Sequence, residues 1–157
     1  MPSWSVSQRV NMVDQDILAK KLAELVDRIS RVRKHCPEDE ESLARDRDAL
    51  DLVSFNLQLA VQTCLDIASH LISEEGWGLP ATSKEAFGRL QEHGLISRGT
   101  AQALEGATGL RNLVAHAYGD VVPQKIYEAA VHGLPDLERF AQEVGAWVKE
   151  RLGDAPA

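Results

Sequence analysis

The apolar residues of this chain recur at helical spacing and nowhere at strand spacing, which restricts it to an all-α fold. Leu18, Leu22, Leu25, Ile29 and Val32 step by four, three, four and three, the stripe of an amphipathic helix. The stripe predicts a helix from about Asp14 to His35, with Asp14 or Asp16 as N-cap, behind a flexible arm at 1–13. Pro37 ends it, having no amide to donate and disfavouring α geometry in the residue before it. A second, longer helix is predicted from about Asp46 to Ser73. Val53, Leu57, Val61, Leu65, Ala68 and Ile72 cover so broad a face that this must be the central helix. Its polar interruptions, Asn56, Gln62, Asp66 and His70, share no clean line, so some must find hydrogen-bond partners near the core.

The punctuation between helices is equally local. Glu38 to Arg47 reads as a charged connection. Glu75 to Pro80, with two glycines and a proline, reads as a loop. Thr82 or Ser83 can cap a short helix, and Glu85 stands three residues beyond Thr82 as a capping box requires. Gly94 suits the left-handed position after that helix. Ser97 or Thr100 can cap the next, which runs to about Ala117. Pro123 suits the first turn of a last helix, Gln124 to Leu152, which Gly133 and Pro135 should kink or split. The expected architecture is one domain over 1–157: an up-and-down bundle of four main helices and a short one, with a tail at 153–157.

Charge and composition exclude several functions. At 157 residues and a net charge of −7, the chain is not a broadly basic nucleic-acid binder. Aromatics at 5% are too few for a base-stacking platform. The acidity is local, however. Glu38, Asp39, Glu40, Glu41, Asp46, Asp48 and Asp51 face only Arg45 and Arg47 in their stretch, whereas Leu95 to Tyr118 sets Arg98 and Arg111 against Glu105 alone. A small, selective phosphodiester site therefore stays open. Cys36 and Cys64 belong to no CxxC or Cys/His ligand cluster, so no metal or other cofactor is expected. Without a leader or an apolar run long enough for a membrane, the expected location is the cytoplasm.

The most informative stretch is Arg111-Asn112-Leu113-Val114-Ala115-His116-Ala117-Tyr118. At about 100° per residue, Leu110, Leu113, Val114 and Ala117 form one apolar stripe, expected to be buried. Arg111, Asn112, His116 and Tyr118 then share the outer face around the small Ala115. Arg111 and His116 stand roughly 140° apart, so they converge best if a two-fold mate supplies the second half of the site. The chemistry fits phosphodiester cleavage. Arginine binds phosphate oxygens bidentately and stabilises charge growing on phosphorus. Histidine titrates near neutrality and can move the proton of a ribose 2′-OH. Spacing alone leaves an ordinary surface role for both residues open. Asp66, on the central helix one turn from His70, could support Arg111 from across the bundle or could be a local polar pair.

RNLVAHAY resembles the Arg-x4-His-x-Tyr motif of HEPN-domain proteins, specifically the HepT-like toxin family. The order of LAVQTCLDIASHLIS, a Gly/Pro loop, SKEAFGRLQEHGLIS, the motif helix and GLPDLERF is similar to that family from about Leu50 to Trp147. The resemblance implies an all-α dimer with the two motifs facing each other in a cleft. It implies a metal-independent endoribonuclease acting as the toxin of a type II/VII-like toxin–antitoxin pair, partnered by a minimal nucleotidyltransferase antitoxin. Arg111 and His116 would be its catalytic pair, Asn112 would contact the phosphate, and Tyr118 would be the tyrosine to which the partner can transfer AMP. The alternative is a non-catalytic HEPN module that binds a nucleotidyltransferase without cutting RNA. A plain structural bundle would have neither partner nor activity.

Overall fold

The computed structural model describes the backbone of residues 6–116 and 122–153, and side chains over 15–110 and 122–151. It is all-α, with no strand among the described residues. The helices are α1 (Val6–His35), α2 (Glu40–Arg45), α3 (Arg47–Glu75), α4 (Ser83–Glu92), α5 (Arg98–His116), α6 (Pro123–Glu128) and α7 (Leu134–Gly153). A π turn, Ala129–Gly133, joins α6 to α7. Among the described residues no helix is long and apolar enough to cross a membrane.

α3 is the axis of the fold, as its broad apolar face predicts, and every other helix touches it. Asp46 caps its start by accepting from Ala49 N at 3.0 Å, and Gly76 ends it at φ 70°. α1 lies along it with Leu18, Leu25, Ile29 and Val32 buried against Val53, Leu57, Ala60, Cys64 and Leu71 in one core. Burial pushes the Cys64 thiol far above its ordinary value, so it behaves as a small apolar residue. Asn56, the most deeply placed of the expected polar interruptions, is satisfied on both sides. Its Nδ2 donates to Leu52 O at 2.8 Å, and its Oδ1 accepts from Arg28 at 3.1 Å. α7 is tied to α1 by the Arg33–Glu138 pair, which holds the Glu138 carboxyl below its ordinary value.

Two sequence expectations change. α1 begins at Val6, so much of the expected arm at 1–13 is helical, and Asp14 and Asp16 lie inside the helix instead of capping it. The pattern itself allows this, because Val6, Val10, Val13 and Ile17 keep the same four-three-four spacing. The connection after Pro37 contains α2, a helix too short to show periodicity. Asp39 caps it by accepting from Ser42 N at 2.7 Å, which lowers the Asp39 pKa, and Leu43 is its fully buried anchor.

The remaining punctuation follows the sequence. Thr82 Oγ1 accepts from Glu85 N at 3.1 Å, while the Glu85 carboxylate turns back to accept from Ala81 N at 2.8 Å. Gly94 has φ 71°. Trp77, from the Gly/Pro loop, is half-buried over the core and stacks on His93 with ring centroids 4.0 Å apart. Pro123 opens α6 in its first turn. The expected break near Gly133 and Pro135 is the π turn. Its wider register ends just before the proline, whose missing N–H would otherwise leave a carbonyl unpaired.

Because the α1–α3 seam carries so much of the core, truncating it should be costly. Leu25→Ala, at a fully buried position, is expected to lower unfolding stability by about 2–5 kcal/mol in urea titrations, with the urea dependence (m-value) unchanged. A loss within 0.5 kcal/mol of zero, roughly the surface-substitution range, would show that this seam is not the main source of cohesion.

Candidate functional site

α5 carries the motif, and its start is fixed from another helix. Ser97 Oγ accepts from Thr100 N at 3.2 Å as a helix cap. The Glu143 carboxylate, on α7, accepts from Ser97 N and from Thr100 Oγ1, each at 2.9 Å. The Ser97 hydroxyl donates to Thr100 Oγ1 at 2.9 Å, which closes the network. A negative group at this end also opposes the positive pole of the helix.

The side that α5 turns to the core is not the one Leu110 marks in the sequence. Thr100, Ala101, Leu104 and Thr108 are buried, on a line centred about 130° round the helix from Leu110. Small residues there let α5 pack closely against its neighbours. The two threonines tolerate burial because each hydroxyl is paired, Thr100 with Glu143 and Thr108 with Glu105 O at 2.7 Å. Leu110, expected at the centre of the buried stripe, is only half-buried, and Gly106 and Gly109 beside it are exposed.

Leu110 instead lines a cleft of about 480 Å³. Leu57 and Val61 of α3 form part of its lining, and Ala103, Gly106, Ala107 and Gly109 join Leu110 along α5. Ala129 and Gly133 of the π turn and Leu137 of α7 contribute the opposite wall. Lys125, Glu128 and Asp136 add charge to it; the first two are exposed, and Asp136 is paired with Arg139. The π turn and the glycines meet here, one lining the cleft from the last helix and the other removing side chains from α5.

Arg111, Asn112 and His116 stand on the last turns of α5. Their side chains, and the whole of Tyr118, lie outside the described residues. The register of the helix still relates them to the cleft. Arg111 is four residues beyond Ala107, and His116 is seven beyond Gly109, so both positions continue lines that border it. Leu110 leads on to positions 113 and 114 along the cleft-lining side of α5, while positions 111 and 116 flank that side and 112 stands across the helix from it.

Asp66 is placed elsewhere. It accepts from Gln62 Nε2 at 3.0 Å and lies 3.6 Å from Lys21 Nζ of α1, while His70 Nε2 faces Glu74 at 3.6 Å. Nine residues from Leu57, it stands about 180° round α3 from the cleft. The structure thus uses Asp66 as a tie between α1 and α3. Sequence reasoning missed Gly106, Gly109, Lys125 and Glu128 altogether. The available signal was two glycines inside a helix, which cost stability without serving a turn. Among the described residues no group of three His, Cys, Asp or Glu side chains is placed to hold a metal ion.

Comparison with known proteins follows the same outline. A family described as Ribonuclease HepT-like matches residues 16–144. The mRNA nuclease HepT of Shewanella oneidensis is 29% identical over 131 residues, which cover 83% of this chain and 98% of that protein. The tRNA nuclease HepT of Aphanizomenon flos-aquae is 27% identical over 92 residues, 59% of this chain and 63% of that one. Among solved structures, the tri-AMPylated Shewanella oneidensis HEPN toxin in complex with its MNT antitoxin is 29% identical, with a TM-score of 0.76 over 83% of this chain and 98% of that one.

The clamp on α5 is open to direct test. Glu143→Ala should cost about 1–2 kcal/mol and speed amide exchange at Ser97 and Thr100, with Glu143→Gln falling between it and the wild type. Unchanged exchange at those two amides would remove the clamp from the account of α5.

Proposed function

Since the chain belongs to the HepT-like ribonuclease family, we propose that it is an endoribonuclease, the toxin of a toxin–antitoxin pair, cutting RNA through Arg111 and His116. The observation that carries this reading is the position of those residues: the last turns of α5, on lines that border an open cleft, within a chain that matches the family over residues 16–144. In this mechanism His116 takes the proton of the ribose 2′-OH, whose oxygen attacks the adjacent phosphorus. The P–O5′ bond breaks, the leaving oxygen takes a proton from water, and the products are a 2′,3′-cyclic phosphate and a 5′-hydroxyl. Arg111 holds the phosphate and stabilises the charge of the pentacoordinate state, and Asn112 steadies the same oxygens. These residues supply binding and proton transfer without a metal ion. Because positions 111 and 116 diverge by roughly 140°, the complete site takes its second half from a two-fold mate, making the working unit a homodimer.

The antitoxin proposed for this chain is a nucleotidyltransferase, the kind of partner seen with the related Shewanella toxin. It would transfer AMP from ATP to the Tyr118 hydroxyl, releasing pyrophosphate. The added phosphate would place a negative charge two residues beyond His116, where it competes with RNA phosphate for Arg111.

Arg111→Ala and His116→Ala should each reduce RNA cleavage in EDTA by about 100-fold or more, with unchanged helical circular dichroism. Either variant cutting at the wild-type rate would exclude the Arg/His mechanism. Intact RNA at high wild-type protein concentration would instead favour the non-catalytic module.

Co-expression with the partner should add the mass of AMP to Tyr118, and Tyr118→Phe should remain unmodified. An unmodified Tyr118 with toxicity still suppressed would assign neutralisation to binding alone.

A further inference from the structure

The cleft beside α5 has no assigned role, yet it adjoins the motif. Its volume, about 480 Å³, falls in the range of small-ligand sites. Among the described residues a side chain built on Gly106 or Gly109 would meet nothing within 4 Å, so packing against them requires neither glycine. Glycine in a helix interior costs about 1 kcal/mol relative to alanine. What it gains here is an exposed, flat stretch of backbone that a planar group can approach closely. Among the described residues Lys125 has no ion-pair partner, and the exposed Glu128 carboxylate accepts from Gln124 Nε2 at 3.4 Å. A donor and an acceptor thus stand together on an apolar slot.

We infer that this cleft is the base subsite of the ribonuclease: it seats the base of the nucleotide whose phosphate Arg111 binds, and it favours guanine. The inference rests on the reading of the chain as a nuclease. Arg111 lies one helical turn beyond Ala107 of the cleft wall, and a base is separated from its own phosphate by a single sugar, a comparable span. The 2′-OH can attack in line only if that sugar is held, and gripping its base is the direct way to hold it. Guanine matches the polar pair. Its O6 and N7 accept from Lys125, and its N1–H and N2–H donate to Glu128. A second copy of the chain would fit less well. A stable interface needs roughly 800 Å² from each partner, whereas this is a slot with polar groups suited to a small planar ring.

The test uses a random-sequence RNA pool cut by the full-length protein, with the new ends sequenced, beside amide NMR titrations with the four nucleoside monophosphates. Wild-type ends should be enriched in guanine at one position next to the cut. Glu128→Gln, Lys125→Met and the cleft-filling Gly106→Leu should each reduce that enrichment at least fivefold. GMP should shift the amides of Gly106, Gly109 and Gly133 more than AMP, CMP or UMP does. Base-indifferent ends together with no nucleotide-dependent shift would overturn the inference. So would a Gly106→Leu variant that dissociates the dimer while its base preference survives, since the cleft would then hold a second copy. A wild-type protein that cuts nothing but shows the GMP-specific shifts would defeat the nuclease reading and uphold the guanine slot.

Discussion

The constraint on which this structure depends is the burial of α3. A helix apolar round most of its circumference cannot remain in water, and no single partner is wide enough to cover it. α1 covers one side with a continuous leucine-rich seam, and the shorter helices share the rest. The cleft opens between two of those covering elements. Leu57 and Val61 of α3 are nearly inaccessible, yet they line a space that α5 and the π turn leave between them. A fold assembled round one overexposed helix thus produces an apolar recess at the position where two of its covering helices diverge.

α5 shows how much of this was legible in the sequence. Its existence, its Ser97 cap and its motif follow from local signals, and so do α3, α4 and the break before Pro135. Its orientation does not. Hydrophobic periodicity weights leucine and valine above threonine and alanine, so it points Leu110 inward. The structure buries Thr100, Ala101 and Thr108, because hydroxyls paired with Glu143 and with the backbone are as acceptable inside as methyl groups, and small residues allow close packing. Those partnerships are tertiary, with Glu143 more than forty residues away in sequence, and no local pattern carries them. α2 was missed for a different reason: a single buried leucine has no period.

The charge distribution has a comparable logic. The acidic connection is partly neutralised within itself, through Glu41 with Arg45 and Asp51 with Arg47, and it is fastened to α6 by the Tyr127 hydroxyl, which donates to Glu38 O at 2.7 Å. These exposed pairs contribute little stability.

That acidity shapes the kind of nuclease this can be. Nonspecific RNA affinity comes mainly from neutralising phosphates, and a chain of charge −7 releases few counterions for any substrate it meets. Phosphate contact at Arg111 alone would then give weak binding to all RNA equally, without the positional control that in-line attack requires. Short-range recognition has to supply both affinity and alignment. The cleft's assets are of that kind: an apolar recess, bare glycine backbone, a lysine with no ion pair among the described residues and an exposed carboxylate. Each acts over a few ångströms and is little affected by the overall field. An acidic toxin built this way would leave most RNA untouched and act where a sequence fits, a selectivity that a basic surface would erase.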